Sequence, residues 1–282
     1  MRNALENLKK EVYSAGETHP LSDNAWKLFT KQCVIVLAAG GESSRFGFHA
    51  ASEKIQKNIH QFPNGDTMIE RTIRMYRDAG LKDFVLLVFF RAPEIIDLLG
   101  DGSRLGVRIR YSHDPEKPVG RGGAMLHALE RGILPPDKTC IVHNPDDQVI
   151  RYPGVFAHDL IAGHRAGMTK GMLATAVVAD GTPYTYTGMK IQEGVVTQAE
   201  MYPHIPLPTH IGVTVFDPGV YPYFKRLFDL GKKADFESIL FPALVAEQRL
   251  YSFAVPTKHW LPVNDQKAFT KLTEVMQEEG SI

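Results

Sequence analysis

Between residues 34 and 54 the chain reads VIVLAAGGESSRFGFHAASEK, and these residue types suit the binding of a polyphosphate. An apolar run of strand character at 34–37, ending on Leu37, leads directly into Ala38, Ala39, Gly40 and Gly41. Glu42, Ser43, Ser44, Arg45 and Lys54 follow. Glycines let a backbone come close to a ligand and aim several N–H groups at one anion. Arginine adds a planar, permanently charged fork, and lysine a compact point charge. A triphosphate needs such cations, because its charge must be neutralised during phosphoryl chemistry. The spacing matches neither G-x-x-x-x-G-K-[ST] nor G-x-G-x-x-G. Lys57 is a rival for the role of Lys54.

A second constellation lies at 140–147, CIVHNPDD, where a strand pattern ends in Asp146 and Asp147. Carboxylates at the carboxyl end of a parallel strand sit where α/β sheets bind ligands. Mg²⁺ takes one or two carboxylates together with substrate phosphate oxygens. Asp146 is the candidate metal ligand, and Asp147 is either its outer-sphere partner or a turn residue. The eleven histidines show no H-E-x-x-H or comparable zinc spacing.

These residues need a scaffold, and the first half of the chain alternates in the manner of one. Strand patterns at 33–39, 84–90, 107–112 and 139–143 are separated by helical patterns at 67–79, 93–99 and 122–131, with Gly80 closing the first helix. Short apolar strands alternating with helices predict parallel βαβ units covered on both faces. The second half predicts strands at 172–179, 185–192, 195–201 and 212–216, a meander that would lie as a sub-sheet over the mouth of the first sheet. Helices are expected again at 220–230, 236–248 and 266–279, around a strand at 250–255. Residues 1–31 read as a helical extension ahead of a single domain at 32–282. The extension packs on the sheet's outer face or, alternatively, makes an oligomer contact.

In this order the motifs resemble the sugar-1-phosphate nucleotidylyltransferases. The pattern L-A-x-G-G-x-G-T-R-[LF], with Pro-Lys about ten residues later, is met here by Leu37, Ala38, Gly40, Gly41, Arg45 and Phe46. Ser43, Ser44 and Glu53 depart from it. The stretch 98–107, LLGDGSRLGV, and the turn Val119–Gly120–Arg121–Gly122–Gly123–Ala124 match L-G-D-G-S and L-G-T-A-G-[AP] segments of the family, and Asn144–Pro145–Asp146 matches N-G-D. The resemblance implies a Rossmann-like, mixed, mostly parallel sheet flanked by helices. It implies attack of a sugar 1-phosphate on the α-phosphorus of an NTP, with release of pyrophosphate and assistance from Mg²⁺. It assigns nucleotide binding to 37–44, with backbone N–H groups at 40–44 holding the phosphates alongside Arg45 and Lys54, and the nucleobase to backbone atoms around Gly120 and Gly122. Glu200, followed by Met201 where the family's E-K-P has lysine, would bind the sugar with His210 and Gly212. Lys190 is a candidate replacement for the missing cation. Pro262 stands where many members have a second metal-binding Asp, and related members end in V-N-N or V-N-T. Asn264 is therefore the expected second ligand, with Asp265 as alternate. The departures support a second reading, a catalytically impaired regulatory protein that binds nucleotide or sugar phosphate on the same fold.

Composition fits either reading. The chain has 282 residues, 44% hydrophobic and 23% charged, with 32 basic and 32 acidic side chains. Zero net charge argues against a bulk nucleic-acid or membrane-surface binder. No run approaches eighteen apolar residues, and the first residues lack the apolar core of a secretory signal. Cys33 and Cys140 sit in apolar strand patterns, so buried free thiols in a reducing, cytoplasmic compartment are expected. The predicted partners are an NTP and a sugar 1-phosphate, with a homo-oligomer left open.

Overall fold

The computed structural model describes residues 2–16, 18, 20–42 and 56–280, with the backbone alone at 2–4. In chain order these form α1 (Arg2–Val12), α2 (Asp23–Gln32), β1 (Cys33–Ala38), α3 (Met68–Asp78), β2 (Asp83–Val88), α4 (Ala92–Leu99), β3 (Arg108–His113), α5 (Gly120–Glu130) and β4 (Thr139–His143). Next come β5 (Asp147–Val149), α6 (Phe156–Thr169), β6 (Ala174–Ala179), β7 (Thr182–Pro183), β8 (Thr187–Gln192), β9 (Val195–Met201), β10 (His204–Ile205) and β11 (Thr209–Phe216). Then follow α7 (Tyr221–Leu227), α8 (Phe236–Ala246), β12 (Leu250–Val255), β13 (Trp260–Pro262) and α9 (Gln266–Glu278).

Seven strands make the main sheet, in the order β12-β6-β11-β4-β1-β2-β3. All run parallel except β11, which is antiparallel to both β4 and β6. The alternation of β1 divides the interior. Ile35 and Leu37 face a core built with Ile69 and Ile73 of α3, Ile95 of α4 and Leu160 of α6. Val34 and Val36 face the other core, with Met125 of α5, Phe224 of α7 and Leu240 of α8. Helices thus cover both faces, as an all-apolar parallel strand requires. A third cluster seats Phe269 and Leu272 of α9 against Phe62, Met68 and Leu261.

Local signals explain the ends of the elements. Thr67 caps α3, its Oγ1 accepting the Glu70 N–H while the hydroxyl donates to the Glu70 carboxylate. Gly80 follows the end of α3, its N–H bonded to the Arg77 carbonyl. Ser22 caps α2. The Trp26 indole donates to the Ala79 carbonyl at 2.8 Å, and its ring lies 4.0 Å from that of His158. Helix α2 is therefore a packing helix, docked on the end of α3 and on α6. Cys33 and Cys140 are buried free thiols on neighbouring strands. No helix among the described residues is long and apolar enough to cross a membrane.

The structure corrects two expectations. The segments predicted at 172–179 and 212–216 as parts of a separate sub-sheet join the main sheet as β6 and β11. Both are buried on two faces, with Val213 and Val215 in one core and Phe216 in the other. Only the β8–β9 hairpin and the two-residue β7–β10 pair remain of the meander. Helix α6 is absent from the sequence reading, because Gly163 and Gly167 interrupt its apolar pattern. A β-carbon at Gly163 would stand 2.8 Å from the Phe253 ring, and one at Gly167 would stand 2.8 Å from the Tyr251 ring. The glycines that hide the helix let it lie close against β12.

Gly167→Ala should therefore destabilise the protein. Helix propensity alone favours alanine by about 1 kcal/mol, whereas overpacking costs about 1–3 kcal/mol. Chemical denaturation should show a net loss; a gain would mean that Tyr251 moves aside freely.

Candidate active site

A cavity of about 470 Å³ opens at the carboxyl ends of β1, β2, β3 and β4. Strand β1 is followed by α3 on one face and β3 by α5 on the other, so the sheet's winding reverses between β1 and β4, where open α/β sheets bind ligands. The turn after β1 contributes Ala38, Gly40, Gly41 and Glu42 to the lining. Gly40 lies against β2, its carbonyl accepting from the Phe90 N–H. The buried Gln56 amide donates to the carbonyls of Ala39 and Phe90, at 3.0 and 3.2 Å, which fixes the turn from behind. Leu37 and Ala39 are fully buried in the core, and the Ala39 N–H is bonded to the Leu87 carbonyl. Both side chains therefore serve the core rather than the cavity lining. Ser43, Ser44, Arg45 and Lys54 lie outside the described residues.

The acidic end gathers residues far apart in sequence. Strand β5 pairs with β13, Pro262 opposite Asp147, and the Val263 N–H donates to the Asp146 carbonyl at 2.7 Å. This ladder sets Asn264 beside Asp146, and both line the cavity. Lys57 reaches in from the far side of the undescribed segment and forms an ion pair with the Asp146 carboxylate. Asp265 is occupied otherwise: its carboxylate caps α9 by accepting the Ala268 N–H at 2.8 Å.

Asp147 is neither a free turn residue nor an exposed acid. It accepts from the Trp260 indole at 3.0 Å and from the Asn144 amide at 3.2 Å. Burial raises its pKa to about 7, the Asp146 charge adds to the rise, and the Trp260 and Asn144 donors oppose it. Gly212 has φ of +69° and sits so close that a β-carbon would collide with the Asp147 carboxylate and the Asn144 amide. Its carbonyl accepts the Asn144 N–H at 3.0 Å. Beneath them, His143 is buried, with Nε2 2.7 Å from the Asp147 carbonyl and Nδ1 2.8 Å from the Tyr76 hydroxyl. Burial lowers its pKa to about 4, so the ring is neutral near pH 7. Nε2 then carries the proton for the carbonyl, and Nδ1 accepts from Tyr76. Sequence reasoning gave His143 no role once zinc spacing was excluded; its place as a post under the acid pair has no motif.

The glycine turn opening α5 differs from expectation. Gly120 lines the cavity, but Gly122 is inside the helix, and a β-carbon there would overlap the Phe228 ring. The Gly122 N–H is bonded to the Ala234 carbonyl at 3.0 Å, and the Arg121 N–H to the Asp235 carboxylate at 2.9 Å. Two N–H groups expected to face a base are thus taken by residues 234–235. The same segment brings Lys233 and Asp235 to the cavity, which no motif signalled. The Arg121 guanidinium is held by Asp235, by Glu237 at 2.7 Å and over the Phe236 ring.

The four expected sugar residues do not converge. Glu200 and Lys190 stand on β9 and β8 of the exposed hairpin, and neither lines the cavity. His210 is packed inward, its Nε2 lying 3.0 Å from the Thr214 hydroxyl, and burial lowers its pKa to about 4. Gly212 serves the Asp147 packing described above. Of the expected residues, Ala38, Gly40, Gly41, Glu42, Gly120, Asp146 and Asn264 share the cavity.

With this geometry in view, comparison with known proteins is informative. The family described as nucleotidyl transferase matches residues 34–279. A mannose-1-phosphate guanyltransferase of Pichia angusta is 25% identical over 242 residues, 83% of this chain and 61% of that one. The Saccharomyces cerevisiae protein of the same name is 26% identical over 218 residues, 76% and 57% of the two chains. This chain therefore spans about 60% of the length of these relatives. Among solved structures, HddC of Yersinia pseudotuberculosis superimposes with a TM-score of 0.60 at 16% identity, covering 86% of this chain and 98% of that one. A candidate glucose-1-phosphate thymidylyltransferase of Bacillus anthracis gives a TM-score of 0.63 at 14% identity, covering 86% and 94%.

The raised Asp147 pKa has a stability consequence with a definite sign. An acid with its pKa raised on folding favours the native state at low pH. That contribution is lost as pH rises from about 4 to about 7. His143, His164 and His210, each lowered by burial to about 4, act in the opposite direction. The readout is therefore a difference between proteins. In EDTA, Asp147→Asn should gain Tm relative to wild type as pH rises across this window, and a constant difference would rule out a buried, protonatable Asp147.

Proposed function

The chain belongs to the nucleotidyl transferase family, and from that premise we propose that it transfers a nucleoside monophosphate from an NTP to a sugar 1-phosphate. The products are an NDP-sugar and pyrophosphate. The observation that carries the proposal is the meeting of Gly40, Gly41, Lys57, Asp146 and Asn264 on one cavity at the carboxyl ends of the parallel strands. A sugar-phosphate oxygen forms the new bond to the α-phosphorus while the bond to pyrophosphate breaks. Such a reaction needs positioning and charge neutralisation rather than a covalent intermediate. Backbone N–H groups at 40–42 would bind phosphate oxygens. Lys54 and Arg45 would neutralise the phosphates, and Lys57 competes with Lys54 for the α-phosphate.

Asp146 and Asn264 fit Mg²⁺, since both offer hard oxygen donors and a direct backbone bond joins their segments. Bound there, the ion would neutralise phosphate oxygens. The Asp146 carboxylate is already paired with Lys57, so a bound cation would share it with that lysine. The two buried thiols suit a reducing compartment such as the cytoplasm.

Pyrophosphate release tests the proposal. GTP with mannose 1-phosphate is the first pair, because the named relatives are guanyltransferases, followed by other NTPs and hexose 1-phosphates, with Mg²⁺ and with EDTA. Metal-dependent release is expected for one pair, and Asp146→Asn should lower its kcat by about 10²–10³. NTP binding without release from any pair would favour the regulatory reading.

The two candidate ligands near the C-terminus are separable. Asn264→Ala should raise the Mg²⁺ concentration for half-maximal rate by at least about tenfold with little change in Tm. Asp265→Ala should leave that concentration unchanged and cost about 1 kcal/mol of stability through the lost cap. A Mg²⁺ titration with thermal melts decides between them, and the reverse pattern would move the ligand to Asp265.

A further inference from the structure

The cavity has two chemically different ends. Gly40, Gly41, Lys57 and Asp146 lie at β1 and β4. The other end lies over β2 and β3, and β3 is three strand spacings, roughly 14 Å, from β4. Leu87, Phe89, Pro118, Gly120 and Ala124 line that second end. An uncharged slot with a few placed polar groups is what a flat, largely apolar ring needs.

Asp114 is the charged side chain set into this slot. Its N–H is bonded to the Val88 carbonyl at 3.0 Å, which places it beside Leu87 and Phe89. Its Oδ2 accepts the Val119 N–H at 3.1 Å, which places it beside Pro118 and Gly120. Oδ1 has no hydrogen-bond partner among the described residues. The half-buried carboxylate therefore offers the cavity an acceptor. Asp235 lines the cavity too, but its Oδ1 already holds the N–H and the guanidinium of Arg121. The backbone has little left for the task, since the N–H groups of Val119, Arg121 and Gly122 are all bonded within the chain.

The bases differ in what they can give such an acceptor. The Watson–Crick edge of guanine presents two adjacent donors, N1–H and N2–H. Uracil and thymine present one N–H between two carbonyls, and a carbonyl facing a carboxylate is repelled. Adenine and cytosine present an amino group next to a ring nitrogen that is itself an acceptor. Of the five, guanine alone meets an ionised carboxylate with donors at both positions. We propose that Asp114 selects guanine, accepting from N1–H and N2–H of a nucleotide whose phosphates extend toward the glycine turn. This selection rests on the nucleotide site of the proposed function and names its base.

Equilibrium titration of the full chain with GTP, ITP, XTP, ATP, CTP and UTP in Mg²⁺ tests the inference. ITP lacks the 2-amino group of guanine, and XTP carries a carbonyl in its place. Wild type should bind GTP at least about tenfold more tightly than ITP, and the other four more weakly than GTP. Asp114→Asn keeps an acceptor for the Val119 N–H and gains an amide donor that meets the xanthine carbonyl. It should lose about ten- to a hundredfold in GTP affinity and gain affinity for XTP, an exchange that loosened packing would not produce. Thermal melts establish that the variant folds. Wild type that binds ATP, CTP or UTP as tightly as GTP overturns the inference, as does a GTP-to-XTP ratio that Asp114→Asn leaves unchanged. Pyrophosphate release with hexose 1-phosphates, read on the same samples, separates this result from the proposed function. GTP binding that depends on Asp114, without release, supports the selection of guanine and overturns the transfer. Release with UTP in preference to GTP does the reverse, and a chain that binds no NTP overturns both.

Discussion

Strand β1 has no polar side chain on either face, and a strand of that kind is stable only between two covered surfaces. That constraint organises the rest. It requires α3 and α6 on one side, α5, α7 and α8 on the other, and right-handed crossovers between parallel neighbours. The switch between those crossovers leaves a crevice at the carboxyl end of β1. The glycine turn enters it because the strand ends there, and the neighbouring strand β4 delivers Asn144, Asp146 and Asp147 to the same edge. The site follows from the burial of β1 more than from any single contact within it.

Within the crevice, opposing electrostatic demands meet at two adjacent acids. Asp146 faces the cavity and is matched by Lys57. Asp147 lines the same cavity but is held by Trp260 and Asn144, and desolvation outweighs the help of these two donors, so its proton affinity rises. Such a residue persists when its neighbours are fixed around it. Gly212 leaves the space it needs, Trp260 and Asn144 aim donors at it, and the neutral His143 holds its carbonyl. Asp147 thereby anchors β5 to β13, and that pairing sets Asn264 beside Asp146. Asp147 thus does structural work that fixes the position of its neighbour Asp146.

Much of this was legible in the sequence, and what was not has physical reasons. Strands β4, β9 and β12 occur where their apolar or alternating patterns place them. Asp146 and Asn264, called from order of motifs and residue type, do share a cavity. Helix α6 was invisible because close approach to β12 requires the glycines that break its periodicity. The positions of β6 and β11 were misjudged because a strand buried on both faces and a strand of a meander can share one local pattern; tertiary pairing decides. The residues expected for the sugar do not meet on that cavity, for a different reason. His210 and Gly212 match a motif in type, but their surroundings use them for packing.

The segment 233–235 shows most clearly why motif reading stops short. It belongs to no motif and joins two helices by an ordinary charged loop. Yet Ala234 exchanges two backbone bonds with the turn at 119–122, and Asp235 takes a third N–H. With its N–H groups satisfied by the chain, the turn leaves side chains to line the same end of the cavity. Asp114, buried enough that desolvation raises its pKa while the Val119 N–H opposes the rise, is one such side chain. Arg121 is another, with its guanidinium held by acids on α8 and its entry. The placement of these side chains therefore depends on how α8 sits against α5, a packing relation between residues more than a hundred positions apart that leaves no contiguous trace in the sequence.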